Sequence, residues 1–124
     1  MGSTKGGFRA GDVGKLDRVI TTGELMLDVK NFLVRVGGEP LELRLKEFEL
    51  LAALAWHPWE LRSRQELAAE IWGYAGATSS RTIDMHIRRL RAALAKKSSH
   101  DYVRTVKGFG YRFVPSNGPG NPDR

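Results

Sequence analysis

The chain has 124 residues, 41% of them hydrophobic and 27% charged, which suits one folded domain with a modest core. Its net charge of +6 and sequence pI of about 10.0 favour a polyanionic partner, without separating DNA from RNA or an anionic membrane. With no cysteine, disulfides, cysteine-based zinc sites and thiol nucleophiles are excluded, and no apolar run reaches the roughly 18 residues of a membrane span.

Residues 1–18 carry five glycines and no periodic apolar pattern, so they are expected to be a flexible linker or a cloning remnant. They lack the apolar core of a signal peptide, and a reducing cytoplasm is the simplest compartment. The folded body is expected over residues 19–115. Val19–Thr21 is a candidate edge strand. Leu25, Leu27 and Val29 alternate with Met26 and Asp28. Phe32, Val34 and Val36 alternate with Leu33 and Arg35, and Leu41 and Leu43 flank Glu42. These period-2 segments, joined at Lys30-Asn31 and Gly37-Gly38, read as a β-meander.

The period then becomes helical. Leu45, Phe48, Leu51, Ala52 and Ala55 form a stripe that ends before Pro58. A second helix is expected from Ser63, whose spacing to Glu66 fits a capping box, with Leu67 and Ile71 inward and Gly73 as its terminator. A loop over Gly76–Ser80 precedes a third helix, which runs from Ser79 or Ser80 to about Lys97. Strand-like Tyr102–Val106 and Tyr111–Val114 are joined by Lys107-Gly108-Phe109-Gly110, a basic hairpin with turn glycines. The tail 116–124, rich in Gly, Pro and Asn, is expected to be disordered.

The third helix carries the functional argument. At about 100° per residue, Ile83, Ile87, Leu90 and Leu94 fall within about 40° of one direction and form the core face. Arg81, Thr82, Met85, Arg88, Arg89, Ala92 and Lys96 fall opposite, with Asp84 and Arg91 on one flank and His86 on the other. A solvated helix face is the plain alternative for such a run. Three features oppose it: the cations lack acidic partners at i,i+4, small or apolar residues sit among them, and a basic hairpin follows. Together they suit a recognition helix in the major groove with a wing beside it.

From about Gly23 to Val114 the sequence resembles the C-terminal effector domain of OmpR/PhoB-type response regulators. The resemblance rests on Glu47-Phe48-Glu49-Leu50-Leu51, on Ser63-Arg64-Gln65-Glu66-Leu67 and on Ile71-Trp72-Gly73. Arg81 to Arg91 and Thr105 to Phe113 complete it, and these two stretches in this order are the specific ones. The resemblance implies an α+β winged helix-turn-helix with an N-terminal antiparallel sheet, three helices and a C-terminal β-hairpin wing. It implies sequence-specific binding to double-stranded promoter DNA at direct repeats, transcription regulation without enzymatic activity, and contact with RNA polymerase through the loop 73–80. Carried over by position, Thr82, Met85 and Arg89 meet bases, Arg81, His86, Arg88 and Thr105 meet phosphates, and Lys107 lies at the minor groove. Where the family often begins its first helix with Thr-Pro, this chain has Arg44-Leu45, so that helix is expected to start less firmly. The wing cation is Lys107 rather than arginine, a point charge in place of a planar fork.

His57, His86 and His100 are the three histidines, and none is spaced from another as His-x-x-x-His, so no metal or other cofactor is expected. Neither a nucleophile elbow nor a phosphate-binding Gly-rich loop with a following helix occurs. Trp59, in a turn, is expected either to pack on the first helix or to anchor a partner. With no apolar heptad left after the core is assigned, the free domain is expected to be a monomer that pairs in tandem on DNA. The rival reading is a winged-helix protein-interaction module without specific DNA binding.

Overall fold

The computed structural model describes residues 17–73 and 79–116. Residues 1–16 of the expected linker 1–18, residues 74–78 of the loop 73–80 and residues 117–124 of the expected tail 116–124 lie outside them.

Four short strands open the chain: β1 (Val19–Thr22), β2 (Leu25–Asp28), β3 (Leu33–Val36) and β4 (Glu39–Pro40). They form one antiparallel sheet in the order β1-β2-β3-β4, with Leu27 opposite both Ile20 and Val34. The alternation of Leu25, Leu27, Val34 and Val36 turns these side chains to one face, where all four are buried. The candidate edge strand at Val19 is therefore β1. Two expectations are corrected. Leu41–Leu43 is not a strand; Leu41 gives one N–H to the Val34 carbonyl at 2.8 Å, and the chain then leaves the sheet. Pro40 has no N–H with which to extend a ladder, which keeps β4 to two residues. Phe32 is not an inward strand residue but a turn residue with φ +56° and 52% exposure. Its ring lies 5.9 Å from that of Phe48.

Helix α1 (Leu45–Trp56) follows. Arg44 offers no side-chain cap, but its N–H donates to the Glu47 carboxylate at 3.1 Å, so half of a capping box survives the missing Thr. The stripe expected on this helix was too narrow. Leu50, Ala53 and Leu54 are buried along with Phe48, Leu51, Ala52 and Ala55, whereas Leu45 is exposed. The reason is position: α1 packs against both other helices and against the hairpin, so almost all of its circumference is interior.

A two-residue strand β5 (Arg62–Ser63) leads into α2 (Arg64–Trp72). Ser63 and Glu66 form the expected capping box: the Glu66 N–H donates to Ser63 Oγ at 3.0 Å, and the Ser63 N–H to the Glu66 carboxylate at 2.9 Å. Gly73 caps the end with φ +90°, a conformation that glycine enters without a Cβ penalty. Helix α3 (Ser80–Ala95) and the hairpin β6 (Val103–Val106) and β7 (Gly110–Phe113) complete the body. The second sheet has the order β5-β7-β6, so the hairpin is anchored through β5 to the start of α2. Nothing in the local sequence signals β5.

Both sheets and the three helices share one core, to which Tyr102, Val103, Tyr111 and Phe113 contribute from the hairpin. Ser116, which its sequence places in the tail, is buried: its N–H donates to Thr22 Oγ1, and its carbonyl accepts from that hydroxyl at 2.7 Å. The hydroxyl of Tyr102 also reaches the Thr22 carbonyl at 3.3 Å. The far end of the body is thus tied to the first strand.

Candidate nucleic-acid interface

Ser79 starts α3 by accepting the Thr82 N–H at 3.1 Å. Ile83, Ile87 and Leu90 have no exposure and Leu94 has 3%, so the apolar stripe seats the helix as the period required. That seating turns Arg81, Met85, Arg88, Arg89, Ala92 and Lys96 outward, all exposed. Arg81, Arg88 and Arg89 form no ion pair among the described residues. Thr82 is half-buried, with Oγ1 3.1 Å from Ser79 Oγ. His86, also half-buried, places Nδ1 2.8 Å from the Thr82 carbonyl and sets its ring edge-on to Trp72 at 5.2 Å.

The flanking residues Asp84 and Arg91 hold α3 to its surroundings. Asp84 accepts from Arg64 Nε of α2 at 2.8 Å and from the Tyr111 hydroxyl of β7. Arg91 Nη1 donates to the Val103 carbonyl at 3.2 Å and to Thr105 Oγ1 at 2.8 Å, both on β6. The guanidiniums of Arg64 and Arg91 lie 5.4 and 5.7 Å from the centre of the Tyr111 ring, within cation–π range. Three elements thus meet at Tyr111, and the roll of α3 relative to the hairpin is set there. Local sequence holds no signal for the bonds to Asp84, since Arg64 lies 20 residues before it and Tyr111 lies 27 after it. Thr105, expected to meet phosphate, already accepts from Arg91; its own hydroxyl hydrogen is left to donate.

Burial works against the charged Asp84 carboxylate, but the Tyr111 hydroxyl and Arg64 outweigh it and hold the carboxyl below its ordinary value of 3.8. Because the folded value is the lower one, the stabilisation is complete above the ordinary value and is lost as pH falls below it. Asp84→Asn should therefore destabilise the domain at neutral pH, and the gap to the unsubstituted chain should narrow in acid. Denaturant melts at neutral and acid pH check this; a gap that widens in acid would count against it.

The hairpin turn is built for exposure. Gly108 takes φ +77°, the Phe109 N–H donates to the Val106 carbonyl at 2.9 Å, and Lys107, Gly108 and Phe109 project into solvent. Lys107 thus stands at the hairpin tip, on an element that Arg91 fastens to α3. The structure places all eight predicted residues on two adjoining elements, α3 and the β6–β7 hairpin. Trp59 is 54% exposed, with φ +72° and its N–H donated to the Phe113 carbonyl at 2.9 Å. His57 ends α1, pairing with Glu60 at 3.2 Å. Among the described residues, no cluster of acidic, His or Cys side chains is suited to hold a metal ion. No helix there is long and apolar enough to cross a membrane.

Residues 38–113, more than half of the chain, match the family model described as "Transcriptional regulatory protein, C terminal". The chain belongs to this family, of OmpR/PhoB type. OmpR/PhoB-type C-terminal domains are transcription regulators rather than enzymes. Over 98 residues the chain is 42% identical to the phosphate regulon transcriptional regulatory protein PhoB of Escherichia coli (strain K12), covering 79% of the chain and 43% of PhoB. It spans less than half the length of such curated relatives. The fold matches the DNA-binding domain of Escherichia coli CpxR with a TM-score of 0.69 at 32% identity, covering 79% of the chain and 97% of that domain. It also matches the Klebsiella pneumoniae RstA DNA-binding domain, solved in complex with the RstA box, with a TM-score of 0.67 at 32% identity. That match covers 79% of this chain and 98% of the RstA domain. The OmpR/PhoB-type resemblance expected from the sequence is therefore correct, and so is the winged helix-turn-helix fold.

Proposed function

We propose that the chain is the DNA-binding effector part of a response-regulator-type transcription factor. It binds double-stranded promoter DNA sequence-specifically, with α3 in the major groove and the β6–β7 hairpin as the wing. The observation that carries this reading is the outward face of α3, where Arg81, Arg88 and Arg89 stand exposed without ion pairs among the described residues. A face meant to pack on an apolar protein surface would leave three guanidiniums to be desolvated without partners; a duplex supplies phosphates and guanine edges for all of them. The solved RstA domain bound to its box supports the same reading. On this proposal, Thr82, Met85 and Arg89 read bases, Arg81, His86, Arg88 and Thr105 contact phosphates, and Lys107 lies at the minor groove. Two copies, monomeric when free, occupy direct repeats about one helical turn, 10–10.5 bp, apart. The loop 73–80 contacts RNA polymerase, framed by the Gly73 cap and the Ser79 cap.

The test is a salt titration of duplex binding. If about five phosphates are neutralised per domain, log K should fall against log salt with a slope near −4 to −5. Arg88→Ala should weaken cognate and scrambled duplexes alike and lower the slope by about 1. Arg89→Ala should cost roughly 1–3 kcal/mol on the cognate duplex, with little change on the scrambled one. Equal losses on both duplexes for both variants would move base reading away from Arg89. Absence of duplex binding at low salt would point instead to a protein-interaction module.

A further inference from the structure

His86 is the histidine of α3, half-buried beside the outward face of the helix. Its Nδ1 lies 2.8 Å from the Thr82 carbonyl oxygen. A carbonyl accepts and cannot donate, so Nδ1 carries the ring hydrogen. In the neutral ring Nε2 then holds a lone pair. Among the described residues Nε2 has no hydrogen-bond partner. A lone pair facing a phosphate oxygen is repulsive; adding a proton turns the same atom into a charged donor and leaves the Nδ1 bond in place. Turning the ring over to present Nδ1 instead would forfeit the Thr82 bond.

The neighbouring groups leave this choice to the nucleic acid. From α1, Lys46 stands 5.5 Å from the Trp72 ring, but its charge is met by Glu49 at 3.0 Å and by the Ile71 carbonyl at 2.9 Å. From α2 the neighbour is Trp72, an aromatic edge rather than a carboxylate. Along α3, His86 lies between Thr82 and the exposed Arg89. Among the described residues no carboxylate is in contact with the His86 ring, and Arg89 follows it by about one turn on α3.

We infer that His86 engages a DNA phosphate only as the imidazolium, so that duplex binding takes up one proton at this side chain. The inference rests on the DNA-binding reading of α3 and adds to it a proton linkage that composition and helix period do not contain. The proton comes from solvent and ends on Nε2, which donates it in a hydrogen bond to a phosphate oxygen.

The test uses the full chain and a mixed-sequence duplex, titrated with salt at about pH 5.5 and about pH 8.5, on either side of the range where histidines change charge. The slope of log K against log salt should be steeper at the acid pH by about 0.9, the counterion released by one more phosphate contact. His86→Gln, an uncharged donor at any pH, should give the same slope at both. His86→Lys, charged throughout, should keep the steep slope at both. Equal slopes for the unsubstituted chain at the two pH values would overturn the inference. So would a pH dependence that survives in His86→Gln, which would assign the proton to another group such as His57 or His100. Failure of every variant to bind duplex at low salt and either pH would instead refute the DNA reading itself.

Discussion

Replacing Arg62 with alanine should cost the domain about 3 kcal/mol, at the lower end of the range for breaking a buried ion pair. Arg62 is 4% exposed, one of the few buried charged residues described. Its Nη2 pairs with the Glu70 carboxylate of α2, and its Nη1 donates to the Ala53 carbonyl at 3.1 Å. Ala53 belongs to the last turn of α1, whose carbonyls have no continuing helix to donate to them, and the His57 N–H goes to Leu54 instead. A fully buried Ala53 cannot turn to water, so Arg62 caps α1 from outside and brings positive charge to the negative end of the helix dipole. Removing the guanidinium strands the Ala53 carbonyl and takes the buried cation away from the Glu70 carboxylate. The lower end of the range applies because the Glu70 side chain is 22% exposed and can regain some water. For a domain of this size the loss corresponds to a fall in Tm of roughly 12–24 °C. Glu70→Ala should cost less, because Arg62 would still serve Ala53. Denaturant melts of both variants decide it: an Arg62→Ala loss below that of Glu70→Ala would refute the capping role.

The second large effect lies across the same seam. A Cβ built on Gly110 would fall 2.0 Å from the Arg62 carbonyl oxygen, 2.9 Å from Ser63 Cα and 3.0 Å from the Arg62 carbonyl carbon. All three are backbone atoms of β5, so no side chain can rotate away. Gly110→Ala must part β5 from β7 and break the pairing of Arg62 with Tyr111 and of Ser63 with Gly110. Overpacking of this kind costs typically about 1–3 kcal/mol and more where the backbone must move, so about 3 kcal/mol is expected. The consequence for function is larger than the stability loss. Ser63 caps α2, and Tyr111 donates to Asp84 on α3, so opening the seam loosens the joint between α3 and the β6–β7 hairpin. Gly108 is the control. It sits at φ +77° with open space around it, so Gly108→Ala meets left-handed strain of about 1–2 kcal/mol and no collision. Melting temperatures should fall in the order unsubstituted, Gly108→Ala, Gly110→Ala, and duplex affinity at low temperature should drop more for the second variant. Equal behaviour of the two glycines would mean that conformation, and not the approach of β5, is what Gly110 serves.

Much of this protein can be read along the chain because the relevant physics is local. A period of 3.6 puts Ile83, Ile87, Leu90 and Leu94 on one side of α3, and burial of that side leaves the arginines outside whatever the partner elements are. Ser63 with Glu66 and Gly73 mark the ends of α2 because capping involves residues within one turn of each other. The strands β2 and β3 follow from alternation, since a single buried face selects every second residue. The all-round burial of α1, the brief β4 and the turn at Phe32 did not follow, because periodicity reports one preferred face and says nothing of how many neighbours press on an element. What tertiary structure alone decided are the contacts between residues distant in sequence. Arg62 looks like a surface cation until the last turn of α1 is brought over it, and Gly110 looks like a turn glycine until β5 lies against it. Asp84 becomes the meeting point of α2, α3 and the hairpin only once folding places Arg64 and Tyr111 beside it. Local sequence sets which residues share a face; the entropy-costly closure of long loops sets which faces meet, and no short window of the chain records that choice.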